Sequence, residues 1–184
     1  GSDLLGKSSM KKAQDLLKAS GYDGTPVLVM KPTDLASITK LPDVAAQLLR
    51  QAGFKVDLQS MDWNTLVGRR AKKDVPSAGG WNIFATSWVS PDIWNPLTNA
   101  AIGAAGEKSW FGWPTDAEIE KLRDQFAREV DMTKRNAMAE AIQARAYEVG
   151  THAPVGEYIN PAALRKGVTG LVIGPGNFYW NIKK

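Results

Sequence analysis

The sequence predicts an α/β fold in which a mixed β-sheet is flanked by helices. Segments with strand patterning alternate with helical segments from Met10 to Thr86 of the 184-residue chain. This alternation is typical of parallel strands joined by right-handed crossover connections. Two consecutive helices and three more strand-like segments follow, and we therefore expect the sheet to be only partly parallel.

The first half of the chain contributes three predicted helices and three predicted strands. Serine precedes the first helix and Asp62 precedes the third, and such side chains accept hydrogen bonds from the free N–H groups of a first turn. The helices are predicted at 10–19, 41–52 and 63–72, and the strands at 25–31, 54–61 and 81–86. The apolar residues expected to share the buried face of the second helix are Val44, Ala45, Leu48 and Leu49.

The second half has a long stretch without clear periodicity, at 90–112, which is predicted to be mostly irregular, with a short helix as the alternative within it. Thr115 and Thr133 are expected to cap two helices that end near residues 130 and 149. Further strands are predicted at 153–158, 168–173 and 178–183, the last two around the turn at 174–176.

The composition excludes several kinds of site. The chain has 23 basic and 19 acidic residues, for a net charge of +4, and no basic stripe interleaves with stacking aromatic residues. Nucleic-acid binding is therefore not expected. There is no cysteine, and His152 is the single histidine, so we expect no catalytic residue, no metal site and no cofactor. The sequence contains no run of about twenty apolar residues, so no transmembrane helix is predicted.

The stretch 81–96 (WNIFATSWVSPDIWNP) is the most distinctive part of the chain. It begins as an apolar strand and then breaks into small polar residues, a proline, one carboxylate and two indoles. Open α/β sheets place ligand sites at the carboxyl ends of their strands, where indoles give rigid contact area and a carboxylate can bind a cation. We therefore predict one wall of a binding cleft, formed by Ser87, Trp88, Ser90, Asp92 and Trp94.

Each candidate also has a structural explanation. Trp63 and Arg70 lie two helical turns apart and would present a ring and a cation on one face, or the arginine would simply cover a buried ring. Asp92 would bind ligand or fix a turn. The second aromatic cluster, Trp110, Phe111 and Trp113, is expected to pack rather than to contact ligand. The acidic residues Asp116, Glu118 and Glu120 suit the positive end of a helix without any chemistry.

Four blocks of the chain, in order, resemble those of family 5 solute-binding proteins, the extracytoplasmic peptide- and nickel-type receptors of ABC importers. The blocks are 11–24 (KKAQDLLKASGYDG), 41–69 (LPDVAAQLLRQAGFKVDLQSMDWNTLVGR), 81–96 and 165–175 (RKGVTGLVIGP). The resemblance covers nearly the whole chain. It implies a periplasmic-binding-protein-like fold of class II, cluster C.

The resemblance also implies a domain organisation. Residues 1–184 are expected to form a single α/β lobe, a fragment of a larger receptor whose two lobes close on a ligand by a hinge. The C-terminal segment, 160–184, would normally return toward the missing N-terminal lobe.

Individual roles follow from the matched blocks. Trp63 matches a cleft tryptophan, Arg70 a basic residue that helps to hold a ligand carboxylate, and Trp88 the tryptophan of the cleft segment. The backbone beside Trp88, including Ser87 and Val89, would pair with an extended peptide. Peptide receptors then carry an aspartate about three residues on.

In this chain Pro91 stands in the place of that aspartate and Asp92 follows it. This departure extends the expected ligands from peptides with a free amino terminus to modified peptides, opine-like compounds and sugars.

The function implied is that of a non-catalytic receptor for a small solute or short peptide, secreted to the periplasm and working with a membrane ABC permease. The alternatives are a stand-alone protein-interaction module that uses Trp88, Trp94 and Trp110, and a hydrolase that uses the scattered carboxylates. A cleft that lacks its opposite wall exposes apolar surface, so we also expect the isolated lobe to self-associate.

Overall fold

The sheet is built around one buried strand in the computed structural model, which describes residues 8–161, 163–174, 176 and 178–184. The described chain divides into two compact units between Ser87 and Trp88. The N-terminal unit comprises residues 8–87, and the C-terminal unit comprises the described residues from 88 to 184.

The N-terminal unit alternates helix and strand as predicted. Its elements are α1 (Met10–Ala19), β1 (Val27–Pro32), α2 (Leu41–Ala52), β2 (Val56–Met61), α3 (Trp63–Arg69), a short 3-10 turn (Pro76–Ala78) and β3 (Ile83–Phe84). The strand order is β2-β1-β3, and both pairings are parallel. The predicted α/β class with a helix-flanked sheet is confirmed. Among the described residues, antiparallel pairs occur only as isolated bridges in the C-terminal unit.

Alternate residues of β1 face different helices. Leu28 and Met30 form a buried cluster with Leu66 of α3. Lys31 lies on the other face, where its Nζ is 2.7 Å from Oδ1 of Asp43 on α2. Because successive side chains of a strand point to opposite faces, α2 and α3 cover opposite sides of β1.

The buried face of α2 differs from the one predicted. Val44 and Leu48 are 54% and 51% exposed, whereas Pro42, Ala46 and Ala52 are buried. The small side chain of Ala46, fully buried, lets the helix approach the sheet closely. Apolar periodicity predicts that a stripe exists, but the part of it that becomes covered depends on where β1 lies.

The C-terminal unit is mainly helical. Its elements are α4 (Ser90–Ile93), 3-10 turns at Ala100–Ile102 and Gly106–Lys108, α5 (Ala117–Arg128) and α6 (Met132–Val149). Helices α5 and α6 pack against each other and against the segment before them. The buried residues of this core are Ile102, Ala104, Ile119, Phe126, Ile142 and Ala146.

Two helix caps lie one or two residues from their predicted positions. Asp116, not Thr115, caps α5 by accepting a 2.8 Å hydrogen bond from the N–H of Ile119. Asp131, not Thr133, caps α6 by accepting one of 2.9 Å from the N–H of Lys134. In both cases a carboxylate stands at the helix start and competes successfully with the hydroxyl, because it also complements the helix dipole.

The strand predicted at 153–158 is wrong, because those residues, all described, have no strand pairing and are exposed. The predicted pair at 168–173 and 178–183 is reduced to two antiparallel bridges, Thr169–Lys183 and Val172–Phe178. Pro175 of the intervening predicted turn lies outside the described residues. Strand patterning in a sequence produces a strand only where a neighbouring backbone accepts the hydrogen bonds.

Over the described part of the chain, no helix is long and apolar enough to cross a membrane.

Candidate ligand-binding site

The predicted cleft segment folds into one helical turn, α4, which is a short helix of the kind that the sequence allowed within the mostly irregular stretch 90–112. Pro91 stands in its first turn, where a missing N–H is harmless. The N–H of Asp92 donates to the carbonyl of Val89 at 3.0 Å, and that of Trp94 donates to the carbonyl of Ser90 at 3.1 Å. The turn therefore holds five of the predicted site residues together: Trp88, Val89, Ser90, Asp92 and Trp94.

This turn exposes a carboxylate within an apolar surface. Trp94 is 77% exposed, and Asp92 is also exposed. The large apolar residues exposed on and beside α4 are Trp88, Val89, Ile93, Trp94 and Leu97. Within the part of the chain that the structure describes, no hydrogen bond or ion pair reaches the Asp92 carboxylate. The turn is closed by backbone bonds, so the idea that Asp92 fixes it is not supported.

Arg123 of α5 fastens the segment that follows α4. Its Nε donates to the carbonyl of Pro96 at 3.0 Å and its Nη2 to that of Leu97 at 3.2 Å. Nη1 donates to Oε1 of Glu120 at 2.6 Å, which orients the guanidinium. Sequence reasoning missed this residue, because its main partners are backbone carbonyls and only the Glu120–Arg123 spacing hinted at a pair.

The second aromatic cluster packs, as predicted, but its partner is a site residue. The rings of Trp88 and Trp110 meet edge-on with centroids 5.0 Å apart. Trp110 and Phe111 are 5.3 Å apart, and Phe111 and Trp113 are 6.5 Å apart. The orientation of the Trp88 indole therefore depends on a loop that lies more than twenty residues further along the chain.

In the N-terminal unit, Trp63 and Arg70 share a face as predicted. Cζ of Arg70 lies 5.8 Å from the centroid of the Trp63 ring, a cation–π distance. Trp63 packs against the buried cluster of Leu28, Met30 and Leu66, so its ring is half-buried rather than free. Burial lowers the pKa of the Arg70 guanidinium, which nevertheless stays protonated at neutral pH. Ser87, the last residue of this unit, is exposed.

Arg69, beside Arg70, is the main polar anchor of the N-terminal unit. Its guanidinium donates to the carbonyls of Gly79 and Gly80, at 2.8 Å for the shortest of these bonds, and to Oε1 of Gln59 at 2.6 Å. Nε1 of Trp81 in turn donates to the carbonyl of Arg70 at 3.0 Å. The sequence did not point to Arg69, since contacts with distant carbonyls leave no local pattern.

The carboxylates considered for catalysis have structural partners. Asp116 and Glu118 lie 2.8 Å and 3.6 Å from the guanidinium of Arg145, and Glu120 pairs with Arg123. Nδ1 of His152 lies 3.1 Å from Oγ1 of Thr151. Across the described residues, no group of three or more His, Cys, Asp and Glu side chains could hold a metal ion.

Asp116 provides a pH-dependent prediction. The hydrogen bond from Arg145 and the N–H of Ile119 lower the pKa of its carboxyl below the usual 3.8. A depressed pKa stabilises the fold at every pH above about 4, and that stabilisation is lost as the pH falls through the pKa of the folded state. We expect Asp116→Asn, which keeps a capping side chain, to lower Tm by about 3 °C at pH 7.

The difference in Tm between wild type and Asp116→Asn should begin to shrink below about pH 4 and should close only when the pH has fallen below the depressed pKa of the folded state, where the native carboxyl is protonated as well. Thermal unfolding followed by circular dichroism from pH 2.5 to 7 measures it. Asp15→Asn, which breaks an exposed pair with Lys11, is the control and should show no gap. A gap for Asp116→Asn that is independent of pH would contradict the prediction.

Comparison with solved structures shows the fold type of the chain. The fold is of the periplasmic-binding-protein-like type. The murein tripeptide-binding protein MppA, in its unliganded open form, matches with a TM-score of 0.67 at 22% identity, over 90% of this chain and 32% of that protein. The substrate-binding protein CtaP of Listeria monocytogenes matches with a TM-score of 0.62 at 18% identity, over 77% of this chain and 28% of that one. The predicted fold is thus confirmed.

Sequence comparison finds a related protein. The chain is 34% identical over 174 residues to the probable peptide ABC transporter periplasmic-binding protein y4tO of Sinorhizobium fredii (strain NBRC 101917 / NGR234). The match covers 95% of this chain and 33% of the relative, so the chain spans about one third of the length of that protein. No family model matches. The resemblance to ABC-transporter solute-binding proteins is confirmed over nearly the whole chain.

Proposed function

We propose that the chain is one lobe of a solute-binding receptor of an ABC importer and that it holds a peptide or peptide-like ligand without converting it. The observation that carries the proposal is the exposed carboxylate of Asp92 among the apolar side chains of α4. A receptor needs affinity without chemistry, and a few charges with aromatic walls supply it. The similarity to a probable peptide-binding relative supports this function over a stand-alone interaction module.

The site on α4 suits a ligand that carries a positive charge beside apolar groups. Asp92 would bind the cation, and Trp88 and Trp94 would contact the apolar part. Ser87, Val89 and Ser90 would offer backbone and hydroxyl groups to the ligand. In the N-terminal unit, Arg70 above Trp63 would supply a cation for a ligand carboxylate.

The whole receptor would lie in the periplasm, as the name of the matched relative states for that protein, and it would work with a membrane permease. A segment at 160–184 that returns toward another lobe belongs to the same proposal. We expect neither nucleic-acid binding nor catalysis.

The test is a nuclear magnetic resonance titration of the 184-residue chain with defined tripeptides. Half a cleft should bind weakly, so the peptides Ala-Ala-Ala, N-acetyl-Ala-Ala-Ala and N-acetyl-Ala-Lys-Ala are added up to about 10 mM. We expect the indole N–H signals of Trp88 and Trp94 to shift with peptides that carry a cation and to shift much less with N-acetyl-Ala-Ala-Ala. The acetylated lysine peptide shows whether the cation can be a side chain.

Asp92→Asn removes the charge and should weaken binding of the cationic peptides about tenfold. Asp124→Asn is the matched control, because that carboxylate is exposed on α5 and is paired with Arg128. Absence of any shift with all three peptides contradicts the receptor proposal. Equal weakening by Asp92→Asn and Asp124→Asn contradicts the role of Asp92.

Self-association of this chain is a further expectation. The apolar residues exposed beyond α6 include Val155, Tyr158, Ile159, Ile173 and Trp180, and such surface favours association. Sedimentation velocity from 5 to 500 µM, roughly the range in which weak dimers form, should show a sedimentation coefficient that increases with protein concentration. In the double variant Ile159→Lys, Ile173→Lys, the sedimentation coefficient should stay closer to that of the monomer. A wild type that stays monomeric throughout would contradict the expectation.

A further inference from the structure

The loop that supports Trp88 is closed and anchored at its base. Residues 105–115, called the aromatic loop, begin and end at the bridge between Ala105 and Thr115. The N–H of Gly106 donates to the carbonyl of Pro114 at 2.9 Å. Ala104, just before the loop, donates its N–H to Oε1 of Glu120 on α5 at 2.8 Å. A loop held in this way presents its tip in a defined position.

The tip of the aromatic loop carries rings that continue the surface of α4. Trp110 packs edge-on against Trp88 at 5.0 Å, and the row goes on through Phe111 to Trp113. All four rings are partly accessible rather than buried. The exposed Asp92 carboxylate lies on α4, four residues after Trp88 in the sequence.

The backbone of the loop is strained at one ring. Trp113 has φ of +48°, in the left-handed region that a residue with a bulky side chain rarely adopts. Among the described residues it is the only non-glycine with a positive φ. The N–H of Trp113 closes a turn onto the carbonyl of Trp110 at 2.9 Å. Strain of this kind persists where the surrounding structure holds it, and such positions cluster at ligand-binding sites.

We propose that Trp110 is a positioning residue for Trp88 and that the aromatic loop makes this site selective for short peptides with an aromatic side chain. This inference rests on the proposed function. Without the edge-on contact of Trp110, the Trp88 indole would sample other rotamers and would lose the orientation in which a ligand ring can stack. Trialanine has no ring to stack on Trp88, so its binding should depend little on the orientation of that indole and hence little on Trp110.

The experiment compares two tripeptides, Ala-Phe-Ala and Ala-Ala-Ala, on the 184-residue chain by the same titration. Wild type should bind Ala-Phe-Ala about tenfold more tightly. Trp110→Ala should bring the ratio of the two affinities to about one, while trialanine binds as before. Trp110→Phe should keep most of this affinity ratio, because an aromatic edge is retained. Trp110→Leu keeps an apolar side chain at the position but no ring, and should also lose the ratio. Trp180→Ala, at a 78% exposed indole, is the control and should keep it.

The outcomes separate the inference from the function on which it rests. If both peptides bind wild type equally, or if Trp110→Leu and Trp110→Ala keep the ratio, selectivity by the aromatic loop is wrong and the receptor function stands. A variant in which both affinities fall by the same factor shows a structural role only, which also overturns the inference. If neither peptide binds wild type, both proposals fail together.

Discussion

Leu66→Ala is expected to lower the stability of the N-terminal unit by about 2–5 kcal/mol, the range for truncating a fully buried leucine. Leu66 has no exposed surface and lies between Leu28 and Met30 of β1 and the half-buried ring of Trp63. Removing its branched end leaves a cavity that this parallel sheet cannot close without moving β1. The same cavity would loosen Trp63, on which Arg70 stacks.

Amide hydrogen exchange of Val29 and Met30 measures this loss, because both residues lie in the buried central strand. Protection should fall by a factor of about 30 or more. Leu48→Ala is the matched control, since the same atoms are removed from a side chain that is 51% exposed. Equal losses in the two variants would contradict the burial of Leu66 between β1 and Trp63.

Gly80→Ala is the second substitution with a large expected effect, about 3 kcal/mol of destabilisation, near the upper end for an overpacked site. A Cβ at this position would lie 1.7 Å from the carbonyl oxygen of Asp74 and 3.1 Å from the carbonyl carbon of Val75. Both are backbone atoms, so no side chain can rotate out of the way. The shift would also break the hydrogen bonds that Arg69 donates to the Gly80 carbonyl.

Thermal unfolding of Gly80→Ala should show Tm lowered by about 6–12 °C. Gly68→Ala makes the same chemical change inside α3, where nothing lies within 4 Å of the added methyl. It should raise stability slightly, because alanine favours the helix over glycine. Opposite signs for the two variants are therefore expected, and a neutral Gly80→Ala would show that the turn before Trp81 does not have the close packing described.

The elements of the N-terminal unit were predictable because their signals are local. Ser9 caps α1 by accepting from the N–H of Lys12, and Asp62 caps α3 by accepting from that of Thr65. Both bonds join residues three apart, so the residue types that make them stand side by side in the sequence. The helix bounds at 10–19 and 41–52 agree with the prediction as well. At α2, which has no side-chain cap at its start, the local signal is Gly53, which ends the helix in the left-handed conformation.

The candidate site was predictable in part. The sequence pointed to Trp88, Asp92 and Trp94 through their place after a strand, and the structure shows them on or beside one exposed turn. It did not point to Arg123, which fastens the following segment, or to the contact of Trp110 with Trp88. These contacts join residues twenty or more positions apart, and neither residue type nor spacing along the chain encodes them.

The sequence by itself determined the α/β class, the positions of most helices, and the resemblance to solute-binding proteins, because each depends on short patterns or on matched blocks. Only the tertiary structure decided that Ala46 rather than Val44 and Leu48 faces the sheet, that Arg69 holds the Gly79 and Gly80 carbonyls, and that residues 153–158 form no strand. Burial and strand pairing are properties of two surfaces that meet, and the second surface lies elsewhere in the chain.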